Sequence, residues 1–284
     1  MPNQSVFDHI NSEYYQLTSA ERRVADYVIS HRQRTQFMSI SELSEEAGVA
    51  EATISRFCKR LGYKGYSAFK LAVANASAPR GTADLLAGEV LPGDSIRDMC
   101  QKLYAADLDA MTQTLELIRP GAVAAAADLL RTAGRVLCMG QGGSMILAME
   151  CAHLFSTALP NYSAVWDSHL QAIAAAQLSQ GDVVIYFSYS GSTEELLTNL
   201  RIIRERGART ILITHFPKSP GAAYADVVLQ CGSQESPLQL GSVAARVAQL
   251  FLVDVLFTEV CRRDMEGCQR RRERVADVLS GKHI

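Results

Sequence analysis

Beyond Pro120 five short apolar runs recur at intervals: RVLCM (135–139), YSAVW (162–166), DVVIYF (182–187), TILIT (210–214) and DVVLQ (226–230), with helical stretches between them. Runs that are apolar on successive residues, rather than on alternate ones, belong to strands covered on both faces. A strand–helix–strand rhythm brings each strand back parallel to the last. The pattern predicts a parallel sheet sandwiched between two helical layers. In such sheets ligands bind outside the carboxyl ends of the strands, so the loops that follow these runs are where function is sought.

The 284 residues are long enough for two domains. With 48% hydrophobic and 20% charged residues the chain is an ordinary globular protein, not a disordered or collagen-like one. Its longest apolar runs stop at Asp128 and Asp254, far short of the ~20 residues of a membrane span. The opening MPNQSVFDHI has neither a basic nor an apolar signal region, so a cytoplasmic location and no membrane partner are expected. Seven cysteines (58, 100, 138, 151, 231, 261, 268) are odd in number and form no C-x-x-C, which predicts reduced core residues rather than a disulfide or zinc framework. No metal or cofactor is expected.

The net charge of −2 is unevenly spread. Residues 1–50 hold four basic side chains against seven acidic ones, whereas in 51–70 Arg56, Lys59, Arg60, Lys64 and Lys70 face only Glu51. Such a basic segment suits phosphate neutralisation, and equally a solvated helix face. The helix pattern favours the first. Before residue 77 there are no strand signals, and two capping boxes open helices, Thr18-x-x-Glu21 and Ser39-x-x-Glu42. The second helix carries Ile40, Leu43 and Ala47 on one face and ends at Gly48, a residue suited to the left-handed conformation. In the next helix Ile54, Phe57, Cys58 and Leu61 form one stripe, Ala52, Ser55, Arg56 and Lys59 point the opposite way, and Thr53 and Arg60 lie on the flank. An acidic helix, a glycine turn and a basic amphipathic helix with small residues near its start make a helix-turn-helix. Arg56 and Thr53 are expected at base edges, with Ala52 and Ser55 small enough for close approach. Lys59, Arg60 and Lys64 are expected on phosphates.

The run LSEEAGVAEATISRFCKRLGYKGYSAFK (43–70) resembles the N-terminal domain of the RpiR family of bacterial transcriptional regulators. It departs at Ala50, where that family usually has a capping Ser. Loss of such a cap costs ~1 kcal/mol and weakens the start of the recognition helix. From Asn75 to Gly93 the chain is rich in Ala, Gly, Pro and Ser, as linkers are. A helix from about Ser95 to Ile118 follows, whose stripe Met99, Leu103, Ala106 and Ala110 suits core packing or dimerisation. The expected organisation is a helix-turn-helix domain at 1–77, a linker and connecting helix at 78–119, and the sandwich at 120–284.

Two loops after the apolar runs stand out. Gly140-Gln141-Gly142-Gly143-Ser144 is not the dinucleotide fingerprint, because Met145 occupies the third glycine position. It is a tight strand-to-helix turn or part of a binding loop. Ser188-Tyr189-Ser190-Gly191-Ser192-Thr193-Glu194-Glu195 places four hydroxyls at a helix start, where free N–H groups and the dipole attract an anion and Gly191 permits close backbone approach. Ser192 and Glu195 also have capping-box spacing. A hydrolase elbow is excluded by Tyr186.

These loops, together with Asp167-x-His169-x-Gln171 and GSVAARVAQLFLVDVLF (241–257), resemble the SIS sugar-phosphate-binding domain of the same family. The resemblance implies a flavodoxin-like αβα sandwich holding a phosphosugar, with Ser188, Ser190, Gly191, Ser192 and Thr193 around the phosphate, Gly142, Gly143 and Ser144 nearby, and His169 on the sugar hydroxyls. At Ser219-Pro220-Gly221 the family commonly has Ser-Pro-Leu, a departure expected to loosen a short helix there. The arginine-rich run 269–274 is expected to be a solvated helix end. The function so implied is a regulator, in the repressor role commonest in that family, acting on sugar or amino-sugar metabolism. Its partners would be a near-palindromic DNA operator, a phosphorylated sugar effector and further copies of itself as a homodimer or homotetramer. The alternative is a sugar-phosphate isomerase or lyase, with Glu150, Glu194, Glu235 or His169 as its base.

Overall fold

The computed structural model describes residues 5–77, 90–91, 93–232 and 243–281. They form two compact units, one running to Ala106, the other starting at Asp107 and taken up again from Ala244. The expected linker at 78–89, and Glu235, lie outside the described residues. Among the described residues no helix is long and apolar enough to cross a membrane.

The first unit contains α1 (Val6–Glu13), α2 (Ser19–Ser30), α3 (Arg32–Thr35), α4 (Ile40–Glu46), α5 (Glu51–Arg60) and α6 (Tyr66–Ser77). Both capping boxes form: Thr18 and Glu21 exchange hydrogen bonds at the start of α2, as do Ser39 and Glu42 at the start of α4. Gly48 ends the α4 turn at φ +63°, and α5 begins three residues on. Ile54, Phe57, Cys58 and Leu61 are all buried with Val24, Leu43 and Phe69, and the Phe57 and Phe69 rings meet edge-on at 5.6 Å. Burying each large side chain stabilises this small unit by ~1.5–3 kcal/mol. Burial also pushes the Cys58 thiol up to about 12, consistent with an unreactive core residue.

A long helix, α7 (Ile96–Leu117), leads onward, and Ala110 joins the core of the second unit. That unit has α8 (Pro120–Thr132), β1 (Val136–Gly140), α9 (Gly143–Ser156), β2 (Tyr162–Ala164), α10 (Ser168–Ala176), β3 (Val183–Phe187), α11 (Glu194–Glu205), β4 (Arg209–Thr214), β5 (Val227–Gln230), α12 (Val243–Arg262) and α13 (Met265–Ser280). All five expected strands are present. They pair parallel in the order β2-β1-β3-β4-β5, the flavodoxin-like arrangement. Alternate side chains face opposite layers. Cys138, Ile185, Phe187, Ile211 and Ile213 pack under α8, α9 and α12, while Leu137, Met139, Val184, Tyr186 and Leu212 pack under α10 and α11.

The arginine-rich run is more than a solvated helix end. It lies in α13, where Arg271 donates to Ala158 O at 2.5 Å and to Asp264 at 2.7 Å, and Arg272 stacks over Phe257. Cys58, Cys138, Cys151, Cys231 and Cys268 are buried, Cys261 is half-buried and Cys100 exposed.

Candidate functional site: two loops at the switch point and a basic helix

The strand order reverses between β1 and β3, and both loops singled out in the sequence start there. Gly140, the last residue of β1, pairs with Phe187, the last of β3. Gln141 and Ser188 are therefore the first residues beyond the sheet on either side of the switch point, where open α/β sheets bind ligands.

In the loop after β3, Ser188 is buried, its N–H donates to Ile213 O at 3.0 Å, and its hydroxyl accepts from Gly191 N at 3.2 Å. Ser190 Oγ accepts from Ser192 N at 3.4 Å. The loop thus folds on its own hydroxyls, leaving Ser192 and Thr193 exposed at the head of α11. The Ser192–Glu195 capping box does not form: Thr193 is the N-cap, makes no side-chain capping bond, and leaves helix N–H groups open. Gly191 sits at φ +60°, and a Cβ there would lie 2.0 Å from Ser219 Oγ. Only glycine lets the loop lie this close to its support. Gly221 N–H donates to Gly191 O at 2.8 Å, so the Ser-Pro-Gly departure gives a tight contact and not the loosening expected; the short 3-10 turn Ala222–Tyr224 follows intact.

In the loop after β1, Gly142 caps α9 at φ +55°, Gly142 and Gly143 are exposed, and Ser144 is half-buried in the first turn. Gln171, from the His169 segment, donates from its amide to Gly140 O and Val165 O, both at 2.8 Å. This ties the start of α10 to the end of β1. His169 is exposed in that first turn, two residues after the capping Asp167. His215 stacks on Tyr189 with ring centroids 5.1 Å apart, its Nδ1 3.0 Å from Cys231 O. Glu150 and Glu194 are exposed on α9 and α11. Among the described residues no cluster of three His, Cys, Asp or Glu side chains is placed to hold a metal.

Sequence reasoning missed the polar network behind the loops: Gln141 donates to Gln171 and to the Tyr186 hydroxyl, Tyr186 donates to Gln171, and Asn199 donates to Tyr186. The available signal was Tyr186 itself, whose hydroxyl needs a partner inside an otherwise apolar strand.

On α5, Ala52, Arg56, Lys59 and Arg60 are exposed and Ser55 is half-exposed, with Lys64 exposed just after the helix. Two residues differ from expectation. Thr53 is buried, its hydroxyl accepting from Arg56 Nη2 at 3.3 Å. Arg60 Nη1 donates to Gln16 O at 2.5 Å and lies 3.4 Å from Glu21 Oε2, so its guanidinium braces α5 against the start of α2. Ala50 makes no side-chain cap, as expected. Instead Glu51, in the first turn, accepts from Ser41 Oγ at 2.5 Å, a negative charge where the helix dipole favours one.

The rpiR-family helix-turn-helix domain matches residues 4–80, and the SIS domain matches residues 129–259. An uncharacterised HTH-type transcriptional regulator of Haemophilus influenzae is 29% identical over 282 residues, 99% of this chain and 98% of that protein. One from Caldanaerobacter subterraneus is 30% identical, over 94% of each. A bifunctional protein glk of Paraburkholderia xenovorans is 33% identical, but the match covers only 43% of its length. Among solved structures, Vibrio vulnificus NanR complexed with ManNAc-6P superposes with a TM-score of 0.89 at 27% identity, covering 98% of this chain and 99% of that one.

A basic helix-turn-helix joined to a parallel αβα sandwich defines a two-part transcriptional regulator. The chain belongs to the RpiR family of such regulators.

Proposed function

We propose that this regulator represses genes of sugar or amino-sugar metabolism and that a phosphorylated sugar, bound at the switch point, modulates its hold on DNA. The observation that carries the reading is the Ser188–Thr193 loop: hydroxyls and open helix N–H groups converge at the carboxyl end of β3, where a phosphate is recognised without a metal. Ser144, Gly142 and Gly143 face it from the neighbouring loop, and His169 is the sugar-hydroxyl contact. Support comes from the NanR structure, whose ligand is ManNAc-6P.

On the DNA side, Arg56 reads a base edge with Ala52 and Ser55 beside it, and Lys59 and Lys64 hold phosphates. Thr53 acts through Arg56, and Arg60 through the packing of α5. The assembly is a homodimer, or a homotetramer built as a dimer of dimers, that sets two recognition helices ~34 Å apart or a multiple of that on a near-palindromic operator. Isomerase chemistry requires a general base within hydrogen-bond reach of the proton it abstracts. Glu150, Glu194 and His169 are the candidate bases among the described residues and all are solvent-exposed, and a helix-turn-helix on the same chain favours binding over turnover.

The test is a thermal-shift panel of sugar and amino-sugar phosphates, each beside its unphosphorylated parent. At a hundredfold excess over Kd a true effector adds ~2.7 kcal/mol of stability. A shift that needs the phosphate supports the reading. Equal shifts with the parent sugars, or steady turnover of a phosphosugar, contradict it.

A further inference from the structure

The loop after β1 is tied to α10, β3 and α11 by a polar chain that phosphate recognition does not use. Gln171 is 1% exposed, and its amide nitrogen donates to Gly140 O and Val165 O, both at 2.8 Å. A backbone carbonyl only accepts, so these contacts fix which end of the Gln171 amide is nitrogen. Its Oε1 accepts from Gln141 Nε2 at 2.7 Å and from the Tyr186 hydroxyl at 3.2 Å. With its own proton directed to Gln171, the Tyr186 oxygen accepts from Gln141 Nε2 at 2.8 Å and from Asn199 Nδ2 at 3.0 Å. The two backbone carbonyls fix the Gln171 amide, and its oxygen in turn fixes the amide of Gln141, where the chain reaches the loop after β1. Both amide hydrogens of Gln141 are committed inward, which leaves Oε1 as its one remaining polar group. That oxygen is buried and has no hydrogen-bond partner, a standing cost in a low-dielectric setting.

Its place gives the orphan meaning. Gly140 pairs with Phe187, so Gln141 is level with Ser188, the first hydroxyl of the proposed phosphate loop. Gly142 at φ +55° and the exposed Gly143 follow it, so the segment carrying Gln141 is free of side-chain bulk where it must adjust.

We propose that Gln141 Oε1 is a specificity-determining acceptor, selecting a phosphosugar that presents a hydrogen-bond donor, a hydroxyl or an amide N–H, beside the phosphate loop. Tyr186 and Gln171 are positioning residues: they hold the amide in the one orientation that offers oxygen rather than nitrogen. The inference rests on the phosphosugar reading of the same site. A site built to pair with a ligand donor discriminates strongly against analogues lacking it, because the protein group is then left unpaired.

The test is calorimetric titration of the full-length chain with N-acetylmannosamine 6-phosphate, glucosamine 6-phosphate and inorganic phosphate. The proteins are wild type, Gln141→Met, which keeps the length without the acceptor, and Tyr186→Phe. Gln141→Met is expected to bind inorganic phosphate as wild type does while losing about tenfold or more for whichever sugar phosphate wild type binds tighter. Tyr186→Phe moves the same ratio in the same direction by less. Equal losses for sugar and inorganic phosphate would assign Gln141 to loop integrity, and an unchanged sugar affinity would remove it from recognition; either result overturns the proposal. Wild type that takes up phosphate but neither sugar also overturns it. Wild type that binds none of the three refutes the phosphate loop itself.

Discussion

The backbone N–H of Gly221 reaches the carbonyl oxygen of Gly191 at 2.8 Å, fastening the Ser188–Thr193 loop to the segment that precedes the 3-10 turn. A Cβ at position 221 would stand 2.8 Å from Gly191 O and 2.9 Å from Leu196 Cδ2. Leucine, the residue suggested at this place by the family resemblance, therefore does not fit the loop as it lies here. Gly221→Leu is expected to destabilise by ~1–3 kcal/mol through overpacking and to weaken phosphosugar binding by displacing Gly191. Paired melting and titration curves check this; a variant with wild-type stability and affinity would show that the contact is incidental.

Ser190→Ala removes the acceptor for Ser192 N–H and one hydroxyl of the proposed phosphate loop. The effector-dependent shift in stability should disappear, while the melting temperature without ligand falls little, since one such bond contributes ~1 kcal/mol. An undiminished shift would mean the phosphate sits elsewhere.

On the recognition helix the arginines separate by their partners. Arg56→Ala should cost ~1–3 kcal/mol of operator affinity and relax specificity at one base position, whereas Lys59→Ala and Lys64→Ala should weaken all sequences alike and lower the salt slope by about one. Arg60→Ala should lower the melting temperature and leave the salt slope nearly unchanged, because its guanidinium is engaged by Gln16 O and Glu21. Salt-titrated anisotropy together with melting distinguishes the two groups. A full unit of salt slope lost in Arg60→Ala would return it to the phosphates.

Glu21 provides a pH signature. Burial pulls its carboxyl upward, but hydrogen bonds from the Thr18 N–H and hydroxyl, and the charges of Arg60 and Arg56, outweigh that and hold it below the ordinary glutamate value. A carboxyl depressed in the folded state stabilises fully above its unfolded value of about 4.3 and loses that contribution as pH falls through the folded value. Wild type should therefore lose stability more steeply than Glu21→Gln as pH falls below the ordinary glutamate value of about 4.3. Parallel acid profiles would mean Glu21 makes no net contribution.

Much of this was legible in the sequence because it depends on period and punctuation. The five strands announced themselves as apolar runs, and the helix-turn-helix as an amphipathic stripe after Gly48. What was hidden depends on distance in space. Nothing in the spacing of Arg60 shows that Gln16, far back in the chain, takes its guanidinium. The Ser192–Glu195 capping spacing was misleading because the loop spends Ser192 N–H on Ser190 and begins the helix one residue later. Gln141, Tyr186 and Asn199 come from three separate elements and meet only once β1 and β3 lie side by side.

In the proposed function, sugar and DNA are linked through one chain. The most direct measurement is operator binding by fluorescence anisotropy at fixed salt, with and without the phosphosugar found in the thermal-shift panel, paired with titration of that sugar in the presence and absence of operator. Linkage requires both affinities to change by the same factor. A common factor of about 5–150 is expected, abolished by Ser190→Ala. Operator affinity unmoved by saturating phosphosugar would contradict it.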